Sequence, residues 1–235
     1  MNTFKKTPEQ EDNSKQQPAC KSKQELIERY GGIGLDKQND LSDVIGDNDW
    51  NVEVTKGEIS FGDHLVFPMQ IIGTLSHTSG TYLWAWANTQ SGFPEHLLQQ
   101  ALQLKKYGEE NQIDYLTNRT FNAEINDLHF LGMVASGMFR SSAYYVADYG
   151  QGALLVTIKS DLIDNIHTEN HHRILTVFPQ LISLFEMNHQ LALKHYLTAR
   201  GYEITADSDK LAATKNGNNI TADFDELSRL TRLNG

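Results

Sequence analysis

The chain has 235 residues, with 20 Lys and Arg against 30 Asp and Glu and one cysteine. This length fits one large domain or two small ones, and would bury roughly 70–75% of the unfolded surface, a core that needs no staples. One cysteine excludes a disulfide framework and any multi-cysteine zinc or iron–sulfur centre, and suits a reducing compartment. A net charge of −10 argues against tight nucleic-acid binding, where phosphates must meet Lys and Arg. No apolar run approaches the ~18 residues of a membrane helix. The expectation is a soluble, cytoplasmic, acidic protein with no cofactor, no bound metal, no nucleic-acid partner and no membrane partner.

Residues 1–24 hold five lysines against three acids, a charge of +2 that leaves −12 for residues 25–235. This stretch is polar, lacks the apolar core of a secretory signal and reads as a disordered tail. Cys20 lies in it as an unpaired bystander. A first helix opens at Ser22, which has capping-box spacing to Glu25. Leu26, Ile27 and Tyr30 share a face, and Gly31-Gly32 is read as the stop. Asp36, Asp40, Asp43, Asp47, Asp49, Glu53, Glu58 and Asp63 follow, against only Lys37 and Lys56. Such a run is a solvated face or a surface that docks a basic protein. The frame of a calcium loop is missing.

From Trp50 the apolar period is two. Val52 and Val54, then Ile59 and Phe61, alternate with polar residues across Lys56-Gly57, and Leu65–Leu75 reads as a longer strand with Pro68 at an edge or bulge. Thr81–Asn88 is expected as a fourth strand after the Ser79-Gly80 turn, completing an antiparallel meander. Strand alternation would put Tyr82, Trp84, Trp86 and Asn88 on one face, either as core or as the floor of a ligand cleft.

Pro94 opens a helix that runs to about Gln112, and a second runs from Ala123 to Phe139 with small residues for close packing. Ser136-Gly137 lacks the nucleophile-elbow frame. Ser142–Tyr149 and Ala153–Lys159 form a hairpin. Helices follow over His171–Phe185, kinked or restarted at Pro179, and from Asn188 to Gly201. Strands at 202–206, 210–214, 219–224 and 230–233 close the chain. His167, Glu169, His171 and His172 are ligand types without a metal-ligand frame, and read as helix-start residues. Neither a Walker loop nor a dinucleotide fingerprint occurs. The fold class is α+β: an antiparallel meander sheet, a packed helical middle and a short C-terminal antiparallel sheet. One domain over residues 25–235 is expected, with a subdivision near 160–170 as the alternative.

Ile45-Gly46-Asp47-Asn48-Asp49-Trp50, Ile72-Gly73-Thr74, Trp84-Ala85-Trp86-Ala87-Asn88, Met133–Gly137, Phe178–Ser183 and Phe224–Thr231 resemble, in this order, a widespread bacterial domain family of unknown function. The resemblance spans roughly residues 25–235 and implies a bacterial, soluble, non-secreted setting, with no established catalytic residues to carry over. Small families of this kind include immunity proteins, which bind and neutralise secreted antibacterial toxins. The functional expectation is therefore a non-enzymatic immunity protein docking a basic toxin through the eight acids of residues 36–63. The alternatives are a small-molecule binder or hydrolase using the Trp84/Trp86 face, and an acidic scaffold without a toxin partner.

Overall fold

A computed structural model describes residues 18–166 and 170–235. The first helix, α1, runs without a break from Lys23 to Ile45. Ser22 caps it, its hydroxyl accepting from the Glu25 amide at 3.1 Å. The stop expected at Gly31-Gly32 does not occur. A Gly pair after one amphipathic turn resembles a C-cap, but here tertiary packing overrides the low helix propensity of glycine. A Cβ on Gly32 would stand 2.6 Å from Cβ of Tyr196, and one on Gly34 would stand 2.4 Å from the Met133 carbonyl oxygen. The two glycines let other helices come to backbone distance of α1.

Four strands follow in a meander: β1 (Trp50–Glu53), β2 (Glu58–Phe61), β3 (Leu65–Ser76) and β4 (Thr81–Trp84). Strand β4 is half its expected length, because Ala85–Ala87 form a 3-10 turn. After a second 3-10 turn at Glu95–Leu97 come α2 (Gln99–Asn111), α3 (Asp114–Thr117), β5 (Thr120–Asn122) and α4 (Ile125–Phe139). Strand β5 had no signal in the sequence, since three residues are too few for a period. The hairpin β6 (Ala143–Asp148) and β7 (Gly152–Ile158) joins the same sheet. The order is β1-β2-β3-β4-β5, with β7 pairing both β3 and β6, and every pairing is antiparallel. Seven consecutive residues of β7 are buried, as expected of a strand covered on both faces.

Helices α5 (Asp161–Asp164), α6 (Ile174–Leu184) and α7 (His189–Ala199) come next, with a 3-10 turn at His171–Arg173 leading into α6. Pro179 lies inside α6. A separate four-stranded antiparallel meander ends the chain: β8 (Glu203–Ala206), β9 (Lys210–Lys215), β10 (Asn218–Phe224) and β11 (Leu230–Asn234). The fold is α+β, as the change of period along the sequence implies. One continuous core cluster holds Leu26 and Ile27 of α1, Leu131 and Val134 of α4, Phe178 and Leu181 of α6, Leu193 and Tyr196 of α7, and Leu211 and Ile220 of the small sheet. The C-terminal sheet thus shares its core with the helices.

Cys20 belongs to this core and is fully buried. The Cys20 amide donates to the Tyr107 hydroxyl at 2.6 Å. The chain is therefore already packed three residues before α1 begins, and the reading of Cys20 as a tail residue is corrected. Polar composition hid this, because one small apolar side chain and one backbone bond are enough to anchor a segment. Burial raises the thiol above its ordinary pKa, with the Arg29 guanidinium next and acting in the opposite direction. Thiolate is the reactive form, so Cys20 should label slowly in the folded protein. We expect modification by a thiol reagent at pH 8 at least about 100-fold slower than in denaturant, at a rate set by opening. Equal rates in the two conditions would remove Cys20 from the core.

Candidate functional site

The eight acids expected to form one docking surface separate into two groups. Asp36, Asp40 and Asp43 sit at positions i, i+4 and i+7 of α1, which is one helical face. That face is occupied from within. Arg173 reaches Asp36 Oδ1 at 3.0 Å, Asp40 Oδ1 at 2.9 Å and Asp43 Oδ2 at 3.1 Å. Arg200 pairs with Asp36 Oδ2, and the Tyr196 hydroxyl donates to the same oxygen at 2.9 Å. The Asp36 side chain is 4% exposed. These three acids are an internal tie between α1, the turn before α6 and the end of α7, and they leave the list of docking residues. The spacing of 4 and 3 was legible in the sequence, but only to a reader who let the helix run through its glycines.

Asp47, Asp49, Glu53, Glu58 and Asp63 remain. All but the half-buried Glu58 are exposed. The β1–β2 register pairs Trp50 with Phe61 and Glu53 with Glu58. The Gly62 amide donates to the Asp49 carbonyl at 2.9 Å, so Asp63 follows directly on the residue held to Asp49. Gly62 has φ +58, and Asn48 Oδ1 stands 2.7 Å from where a Cβ would be, so this junction requires glycine. Residues 46–64 hold five acids against one lysine, and Lys56 pairs with Glu53 at 2.8 Å, which leaves Asp47, Asp49, Glu58 and Asp63. Strand β1 lies at the end of the sheet order, with one edge unpaired among the described residues. Of the five acids only Glu53 lies on this edge strand, and Asp49 directly precedes it; charges on and beside an edge discourage indiscriminate strand pairing.

The aromatic run does not floor a cleft. Tyr82 and Trp84 are fully buried. Their rings meet edge to face at 5.3 Å, and Tyr82 also packs on Phe121 at 5.1 Å. Alternation stops at Trp84, so Trp86 and Asn88 are not on the same strand face. Trp86 is half-buried in the 3-10 turn, with the Lys105 ammonium 4.7 Å from its ring centroid. Asn88 serves the turn, its side-chain oxygen accepting from the Ser91 amide at 3.1 Å. The buried indole and phenol groups here have no hydrogen-bond partner among the described residues. Their contribution is apolar packing. The cleft proposed over Tyr82, Trp84, Trp86 and Asn88 is therefore withdrawn.

His171 and His172 lie in the 3-10 turn with ring centroids 3.9 Å apart. His167 and Glu169 lie outside the described residues. Among the described residues no group of three or more His, Cys, Asp or Glu is placed to hold a metal ion, and no helix is long and apolar enough to cross a membrane. The Ser136 hydroxyl is buried and donates to the Met133 carbonyl at 3.2 Å, an ordinary helix-internal bond. Sequence reasoning missed Arg173 and Arg200, which carry no local motif. It also missed a groove rich in basic residues between α1, α4 and α7.

Residues 24–160 match the model of DUF6882, a family of unknown function, and the chain belongs to that family. The match takes in α1, the whole seven-stranded sheet and α4, and ends before α5. Neither a curated protein nor a solved structure matches the chain.

Proposed function

We propose that this protein is a cytoplasmic immunity protein that binds and neutralises a secreted antibacterial toxin through the acidic residues around the β1–β2 hairpin. The observation that carries the reading is the exposed group Asp47, Asp49 and Asp63 in the segments that flank the Trp50–Phe61 end of the β1–β2 hairpin, with Glu53 at the far end of β1, after Asp36, Asp40 and Asp43 are set aside. An exposed single-sign cluster of this kind adds nothing to folding, since its members repel one another. It raises the encounter rate with a basic surface, and charges that become buried on docking fix the register. Trp50 lies half-buried at the base of the cluster and offers an apolar anchor beside the charges.

The test uses the protein encoded by the neighbouring gene, with the wild-type chain and the triple variant Asp47→Asn/Asp49→Asn/Asp63→Asn. None of the three side chains is buried, so the variant should unfold at the same denaturant concentration. Association measured at 50 and 500 mM salt should slow with salt for wild type, and at low salt be at least about tenfold slower for the variant. Co-expression should rescue growth for wild type and less well for the variant. Absence of a complex, or a complex indifferent to all three substitutions, would sink the reading.

A further inference from the structure

A groove of about 750 Å³ opens where α1, α4 and α7 meet, on residues that the acidic docking surface does not use. Helix α1 presents Arg29, Ile33 and Lys37 to it, the end of α4 presents Met138 and Arg140, and α7 presents His195. Three cationic side chains, Arg29, Lys37 and Arg140, line it beside the His195 imidazole, and among the described residues no carboxylate does, in a chain of net charge −10. Small residues make the space. A Cβ on Gly137, which lines the floor, would stand 2.9 Å from the Tyr30 backbone oxygen. The volume lies within the range of about 300–1,000 Å³ typical of small-molecule sites.

The cations are not equally committed. Lys37 donates to the Ser141 carbonyl and lies 3.7 Å from Asp164, so part of its charge is already answered. The Arg29 side chain bonds the Tyr30 hydroxyl, while its Nε is buried without a hydrogen-bond acceptor among the described residues. Such a donor carries a desolvation cost that an incoming anion would relieve. Arg140 is exposed at the left-handed cap of α4, with φ +50. Burial, and next the Arg29 guanidinium, hold His195 below its ordinary pKa, which places the two side chains in each other's field. Arg29 and Lys37 are eight residues apart on one helix, about 12 Å along the axis. Ile33 and Met138 give the stretch between them an apolar wall.

We propose that this groove binds a small phosphorylated organic molecule, with the phosphate held by Arg29, Arg140 and His195 and the organic part against Ile33 and Met138. Guanidinium groups suit phosphate because their paired N–H donors match its oxygens.

The experiment is calorimetric titration of the full chain with phenyl phosphate and with inorganic phosphate. Wild type should bind phenyl phosphate saturably and at least about tenfold more tightly than inorganic phosphate, since the ring buries apolar area. Arg29→Gln and Arg140→Gln should each weaken phenyl phosphate binding about tenfold or more, while Lys106→Gln, on an exposed turn of α2, should not. Arg140 is exposed, so its variant keeps the test valid if Arg29→Gln impairs folding. No saturable binding of either probe overturns the proposal. So does binding unchanged in both arginine variants, and equal affinity for the two probes overturns the organic part.

Discussion

Asp36→Ala is expected to lower the free energy of unfolding by about 3–5 kcal/mol, the usual cost of stranding a buried charge. The carboxylate is 4% exposed and accepts from Arg173, Arg200 and Tyr196. Its removal leaves Arg200, itself 8% exposed, without its ion-pair partner. Arg173 would keep Asp40 and Asp43, so most of the loss falls on Arg200. Asp43→Ala is the comparison, because its side chain is 51% exposed and an exposed pair contributes about 0–1 kcal/mol. Urea unfolding of the two variants measures the difference. Replacing the pair as a whole, Asp36→Leu with Arg200→Met, should recover part of the loss, since an apolar pair carries no desolvation cost. An Asp36→Ala variant within 1 kcal/mol of wild type would mean that the network is not closed.

Gly34→Ala is expected to destabilise by about 2–3 kcal/mol, although alanine is the better helix former by about 1 kcal/mol. The new methyl would stand 2.4 Å from the Met133 carbonyl oxygen and 2.6 Å from its Cα. Both are backbone atoms, so no rotamer change relieves the overlap and the two helices must separate. Gly31→Ala is the matched control. Its nearest neighbours are the tips of Ile27 and Leu181, at 2.9 and 3.0 Å, which can turn away. Propensity and crowding then nearly cancel, and the change should stay within about 1 kcal/mol. Thermal unfolding of the pair tests the argument, and a Gly34→Ala variant as stable as wild type would refute it.

Both variants act on a helix that sequence reasoning cut short. Two glycines after a single amphipathic turn satisfy the local rule for a helix end. What overrides the rule is the approach of α4 and α7, which arises from chain more than 90 residues away and leaves no trace near Gly31. The truncation then hid the face formed by Asp36, Asp40 and Asp43, and three acids that tie the fold together read as open surface. The aromatic run failed for a related reason. Alternation over Tyr82–Asn88 holds only while the backbone stays extended, and Ala85–Ala87 turn into a 3-10 helix. Strands β1 to β3, the β6–β7 hairpin and the C-terminal meander were legible because a period of two and Gly-marked turns are local properties.

The sequence by itself determined the class of fold, the C-terminal meander, the acidic balance and the family resemblance over residues 24–160, whereas the runs at 178–183 and 224–231 lie beyond the matched residues. Tertiary structure decided which charges are spare. A carboxylate beside a distant guanidinium is held within the fold, and the same carboxylate without one stays exposed to solvent. Only the packing of α1 against the turn before α6 and the end of α7 separates Asp36 from Asp47. Likewise, only the meeting of α1, α4 and α7 gathers Arg29, Arg140 and His195 into one groove, because a field is set by distance in space and not along the chain.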